Sequence, residues 1–260
     1  MSKKRLVVAN WKMYIQSPKE AANFARALRR KARAFSGVEA VIAPAYPLIP
    51  AVAEALKGSS VHTGAQTLSV FDDGAHTGFV SAHMLKEAGA TYVLVGHSER
   101  RAEGETDEMI RTELGHASVA GLTPVLCVGE SERNAEGSHF GVIEKQLSSA
   151  LQGIPGSALK LIVAYEPVWA IGKSASDSID VQALTEVVIF IRKTLTENID
   201  RKAALKVPIL YGGSVEPQNA GNLIKESGVS GFLVGHASTE LDSFVEILKA
   251  VRPARNHARN

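Results

Sequence analysis

The chain has 260 residues, 45% hydrophobic and 22% charged, which suits one large globular domain or two small ones and excludes a disordered or fibrous protein. Its formal charge of +2 is outweighed by Arg252, Arg255 and Arg259 at the polar end, so the remainder is close to neutral and unsuited to a nucleic-acid groove. Cys127, set among Val125, Leu126 and Val128, is the lone cysteine and reads as a core residue of a cytoplasmic protein, while the apolar run behind the basic start, residues 6–9, is too short for a signal peptide or a membrane span.

Short β-branched apolar runs begin near Leu6, Val38, Val61, Tyr92, Pro124, Leu161, Val207 and Gly231. None alternates apolar with polar residues, so each reads as a strand buried on both faces of a parallel sheet. One-sided helical stripes lie between them. The first, Phe24, Leu28, Ala32 and Phe35, opens with Ser17 as N-cap, Pro18 in the first turn and Glu20 placed for a capping box. The most regular, Val181, Leu184, Val188, Ile191 and Leu195, has Ser176, Ser178 and Asp180 as competing caps. Eight β-α units without a linker predict an α/β protein built as one closed (βα)8 barrel over residues 1–251, with 252–260 a disordered basic tail. An open doubly wound sheet would carry a glycine-rich turn after its first strand, and that place holds Asn10, Trp11, Lys12 and Met13.

Barrel enzymes carry their chemistry where strands run into the following loops. Here those positions hold Asn10 and Lys12 after the first strand, Gly96, His97, Ser98 and Glu99 after the fourth, and Glu166 after the sixth. The seventh and eighth end in Tyr211-Gly212-Gly213-Ser214 and Gly235-His236-Ala237-Ser238. Glycine-rich turns leading into helices present free N–H groups to an anion, so this pair reads as a phosphate cradle. A phosphate site, a carboxylate, an imidazole and a lysine on one rim suggest proton abstraction beside a carbonyl, with the carboxylate as base, the imidazole polarising the oxygen and the ammonium stabilising an enediolate. Two histidines, His97 and His236, end near-identical strands and compete for one role. No His-Glu-x-x-His or Cys-x-x-Cys spacing calls for a metal, no cofactor is implied, and no Gly-x-Ser-x-Gly elbow suggests a serine nucleophile.

Asn10-Trp11-Lys12-Met13, Gly96-His97-Ser98-Glu99-Arg100-Arg101, Cys127-Val128-Gly129-Glu130, Ala164-Tyr165-Glu166-Pro167-Val168-Trp169-Ala170-Ile171-Gly172 and Tyr211-Gly212-Gly213-Ser214-Val215 together resemble the triosephosphate isomerase family, in order and spacing, from about Leu6 to Val251. The resemblance implies the TIM barrel fold and a metal-independent aldose-ketose isomerase of glycolysis and gluconeogenesis. It makes Glu166 the base, His97 the neutral electrophile, Lys12 the electrostatic stabiliser and Asn10 a substrate contact. It also implies phosphate held by backbone amides of Gly172, Ser214, Gly235 and His236, and a cytoplasmic homodimer in which Thr77 reaches the other subunit's site. Glu99 has a structural reading, holding Lys12 or Arg100, and is left out of the catalytic set.

Departures from the family pattern are Tyr14 and Thr67 in place of asparagine, His76 in place of phenylalanine, His236 in place of glycine, and the polar stretch 173–180 after the closing loop, which lacks the usual second glycine. Tyr14 and Thr67 are expected to affect the subunit contact more than the chemistry. The competing readings are an isomerase of a related phosphorylated sugar such as a tetrulose phosphate, and a non-catalytic phosphate-binding barrel. Intact Lys12, His97 and Glu166 argue against the second.

Overall fold

A computed structural model describes residues 5–134, 136–154, 160–172 and 179–253. Eight parallel strands, β1 (Arg5–Asn10), β2 (Val38–Ala43), β3 (Val61–Ala65), β4 (Tyr92–Val95), β5 (Thr123–Val128), β6 (Ile162–Tyr165), β7 (Ile209–Tyr211) and β8 (Gly231–Val234), pair in sequence order and close, with Val7 beside Phe232 and Val8 beside Leu233. Helices α1 (Pro18–Lys31), α2 (Ile49–Leu56), α3 (Ala82–Glu87), α4 (Ser98–Ala102), α5 (Asp107–Val119), α6 (Ser138–Leu151), α7 (Val181–Asn198), α8 (Arg201–Ala204), α9 (Pro217–Glu226) and α10 (Leu241–Ala250) cover the outside. Among the described residues no helix is long and apolar enough to cross a membrane.

Alternation along each strand builds two cores. Leu6, Val8, Val41, Leu94, Val125, Cys127, Ile162, Ala164, Leu210 and Leu233 fill the barrel interior, and their neighbours Val7, Ala9, Val93, Val95, Leu126 and Val163 face the helices. Burial on both sides explains why the runs read as continuously apolar. Closure is tight where β8 meets β1: a Cβ on Gly231 would overlap the Leu6 carbonyl. Truncating a fully buried interior side chain such as Leu94 to alanine would cost about 2–5 kcal/mol.

The seventh strand begins at Ile209 and not at Val207, because Val207 N–H is spent on Ala204 and Pro208, which has none, offers its carbonyl to Val163 N–H instead. Ser17 caps α1, accepting from Glu20 N–H at 3.5 Å. Of the three candidate caps for α7, Asp180 fills the place, its Oδ1 taking Ala183 N–H at 2.9 Å. Ser176 and Ser178 lie outside the described residues, as do the lid departures at 173–178 and tail residues 254–260.

Candidate active site

The rim at the carboxyl ends of the strands encloses a cavity of about 200 Å³ lined by Asn10, Lys12, His97, Glu166, Gly172 and Ser214, with Gly235, His236 and Tyr14 at one side. All eight residues proposed from the sequence therefore reach one cavity. Tyr14 joins them there, although the sequence pointed it toward the subunit contact.

Lys12 is set by its backbone. Its φ is +44, rare for a residue with a side chain and worth about 1–2 kcal/mol of strain. Two neighbours hold that conformation: Asn10 Oδ1 accepts Lys12 N–H at 3.1 Å, and the Gln66 amide donates to Lys12 O at 2.9 Å and Ala43 O at 3.0 Å. Trp11 anchors the same turn from beneath, its indole N–H reaching Ser238 O at 3.2 Å. Lys12 Nζ then lies 2.6 Å from Glu99 Oε1, so Glu99 is the carboxylate that holds it.

At the end of β4, His97 caps α4 and is buried. Glu99 N–H donates to His97 Nδ1 at 3.2 Å, and Nε2 lies 3.1 Å from Glu166 Oε1. A ring nitrogen that accepts an N–H carries no proton, so the imidazole is the neutral tautomer with its hydrogen on Nε2. The contact with Glu166 is a hydrogen bond from that hydrogen, not an ion pair.

Glu166 is 2% exposed, and Ser98 N–H donates to its other oxygen at 3.0 Å. Both oxygens are thus occupied on the β4 side. Glycines flank the residue because nothing larger fits: a Cβ on Gly129 would overlap the Glu166 carbonyl, and one on Gly212 would come 2.9 Å from Glu166 Cγ. Cys127 lies fully buried below, and burial, reinforced by the Glu166 charge, pushes its thiol well up, so it is an inert core residue.

At the turn after β7, Gly213 is compelled by the Tyr211 hydroxyl, which a Cβ would overlap, and the Ser214 hydroxyl donates to Ala170 O at 2.7 Å. That bond ties the β7 turn to the base of the loop after β6. A second cluster pins the loop: Glu130, 1% exposed, accepts at Oε1 from Tyr165 Oη at 2.8 Å, Trp169 Nε1 at 2.9 Å and Arg133 Nε at 2.9 Å. Gly172, with φ +72, is the last described residue before 179. The sequence did not mark Gln66, Ser98, Gly129 or the Glu130 cluster as site residues. Gly129 and Glu130 stand inside the Cys127-Val128-Gly129-Glu130 motif, which was the one signal that could have found them.

The triosephosphate isomerase family matches the chain over residues 5–251. A triosephosphate isomerase of Carboxydothermus hydrogenoformans is 43% identical over 250 residues, 95% of this chain and 98% of that protein. One of Thermus thermophilus is 41% identical over 249 residues, covering 94% and 97% respectively. The crystal structure of triosephosphate isomerase from Bartonella henselae superimposes with a TM-score of 0.84 at 34% identity, covering 96% of this chain and all of that one.

Proposed function

The chain belongs to the triosephosphate isomerase family, and from that premise we infer that it interconverts dihydroxyacetone phosphate and D-glyceraldehyde 3-phosphate, a step of glycolysis and gluconeogenesis. Glu166 releases Ser98 N–H and takes a proton from the carbon beside the carbonyl. The electron pair moves onto the carbonyl oxygen, giving an enediolate. His97 Nε2–H donates to the developing oxyanion and Lys12 offsets its charge. The hydroxyl proton on the carbon that lost its hydrogen passes by way of His97 Nε2 to the former carbonyl oxygen. Glu166 returns its own proton to the neighbouring carbon, and the reaction ends with no net change in the enzyme. Asn10 orients the substrate, and the amides of Gly172, Ser214, Gly235 and His236 hold the phosphate.

The single observation behind this reading is the His97–Glu166 contact of 3.1 Å with Nδ1 already occupied by Glu99 N–H. A neutral donor beside a buried carboxylate is what proton transfer to and from adjacent carbons requires. A charged histidine there would quench the base.

The protein is a cytoplasmic homodimer in this reading, with residues 1–251 forming one catalytic domain. Support for the dimer comes from exposed apolar side chains on the loops after β1 and β3, Met13, Tyr14, Phe71 and Phe79, two loops that Gln66 joins. Thr77 stands among exposed neighbours on the second loop, and His76 stacks flat on Phe71 at 3.5 Å, so the histidine keeps an aromatic part in that surface.

A coupled assay tests the function with both triose phosphates and a four-carbon ketose phosphate. Turnover of the trioses well above the four-carbon compound is expected. The reverse preference would move the assignment to the related sugar.

A further inference from the structure

Tyr14 and His236 are both departures from the family pattern, and they touch: their ring centroids lie 5.0 Å apart at 62°, edge to face. Both line the active-site cavity on its phosphate side, beside Gly235 and Lys12. His236 is exposed to that space, and among the described residues it makes no ion pair. Its ring is not tied to its own turn either, because Ser238 N–H goes to Gly235 O at 2.9 Å and Thr239 N–H to His236 O at 2.9 Å.

The charge balance of the cavity gives this pair a use. Among the described residues Lys12 is its one permanent cation, and it is already 2.6 Å from a carboxylate. Besides His236, the other described titratable groups lining it are Glu166, Glu216, His97 and Tyr14, two of them carboxylates and His97 held neutral by Glu99 N–H. A phosphate dianion entering this space meets two carboxylates and a partly neutralised ammonium. A second cation near the glycine turns would correct that balance, and an imidazole braced by an aromatic face can supply one near neutral pH.

We propose that the His236 side chain, braced by Tyr14, is a specificity-determining residue that grips the dianionic phosphate end of the substrate in its protonated form. It acts on binding through its ring, in addition to the backbone N–H at the same position. The proposal rests on the functional reading above only in placing phosphate at this end of the cavity.

Sulfate separates the two, because it stays a dianion from pH 6 to pH 8.5 and so contributes no titration of its own. Sulfate binding is measured by calorimetry for wild type and for His236→Gln and Tyr14→Ala, at pH 6 and pH 8.5. Wild type should bind about tenfold more tightly than H236Q at pH 6 and about equally at pH 8.5, since only the protonated ring adds a charge. Y14A should retain part of the advantage. With triose phosphate as substrate, H236Q should lose more in KM than in kcat at pH 6. Equal sulfate affinity of wild type and H236Q at both pH values would overturn the proposal, as would an advantage that does not shrink at pH 8.5. Failure of wild type to isomerise trioses would overturn the functional reading, and the sulfate comparison would still decide for or against the His236 grip.

Discussion

Strands four and eight end in near copies, Val93-Leu94-Val95-Gly96-His97 and Phe232-Leu233-Val234-Gly235-His236, yet the two histidines have different fates. Gly96 takes φ +70, and a Cβ there would sit 2.9 Å from Ile110 Cδ1, so that Ile110 would have to shift. That left-handed turn drops His97 onto the start of α4, where the N–H two residues on fixes its ring. Gly235 takes φ −84, with only Lys12 Cε within 3.9 Å of a Cβ, and the chain runs into a 3₁₀ turn, His236–Ser238. There the N–H two residues on is spent on a carbonyl, and the ring stays exposed. The glycine's dihedral and the free amide behind it assign the role, and the histidine itself does not.

The sharpest way to break this comparison is to remove each ring in turn. His97→Gln should lower kcat by about 10²- to 10⁴-fold in a steady-state isomerase assay, the range for losing a positioned acid-base group. The matching change at His236 should show mainly in KM. Equal losses in kcat would mean the buried and exposed rings are not distinguished as described.

Exchanging the glycines probes the same contrast through stability. Gly96→Ala combines a disfavoured φ with a clash against Ile110 and should cost about 3 kcal/mol in urea denaturation. Gly235→Ala should cost less than Gly96→Ala, because the nearest described atom to its methyl, Lys12 Cε, would lie 3.9 Å away.

A smaller effect lies beneath the fourth strand alone. Arg100 of α4 reaches Glu105 at 3.4 Å, and Glu105 faces Glu113 of α5. Burial first, and the Glu105 charge second, push the Glu113 carboxyl up to about 9 from an ordinary 4.5. The folded state therefore holds a proton that the unfolded chain releases, so the stability this group contributes is full below about pH 4.5 and is lost as pH rises toward 9. Glu113→Gln keeps the neutral form at every pH. Its stability relative to wild type should rise from pH 5 to pH 9, as read from urea midpoints. A constant difference across that range would show the carboxyl titrating normally.

Much of this was legible in the sequence, and the part that was not has a common cause. Strand starts were readable because both faces of each strand are apolar, and the later start of the seventh strand comes from a proline whose missing N–H displaces the pairing. Asn10, Lys12, His97 and Glu166 stood out as polar residues at strand ends. Their supports did not, because Glu166 with Ser98, Lys12 with Glu99 and Gln66 with Lys12 are 68, 87 and 54 residues apart and meet only when the barrel closes. The place of Tyr14 beside the cavity was hidden for the same reason, since its neighbour His236 lies at the far end of the chain.

Transfer of a proton between adjacent carbons by Glu166, assisted by a neutral His97, is tested most directly by following the isomerisation of dihydroxyacetone phosphate in D2O by proton NMR, for wild type and Glu166→Gln. A carboxylate that exchanges its proton with solvent should leave deuterium on the carbon beside the carbonyl at the wild-type rate, and the variant should be slower by about 10³-fold or more. Near-normal turnover by the variant would contradict that role for Glu166.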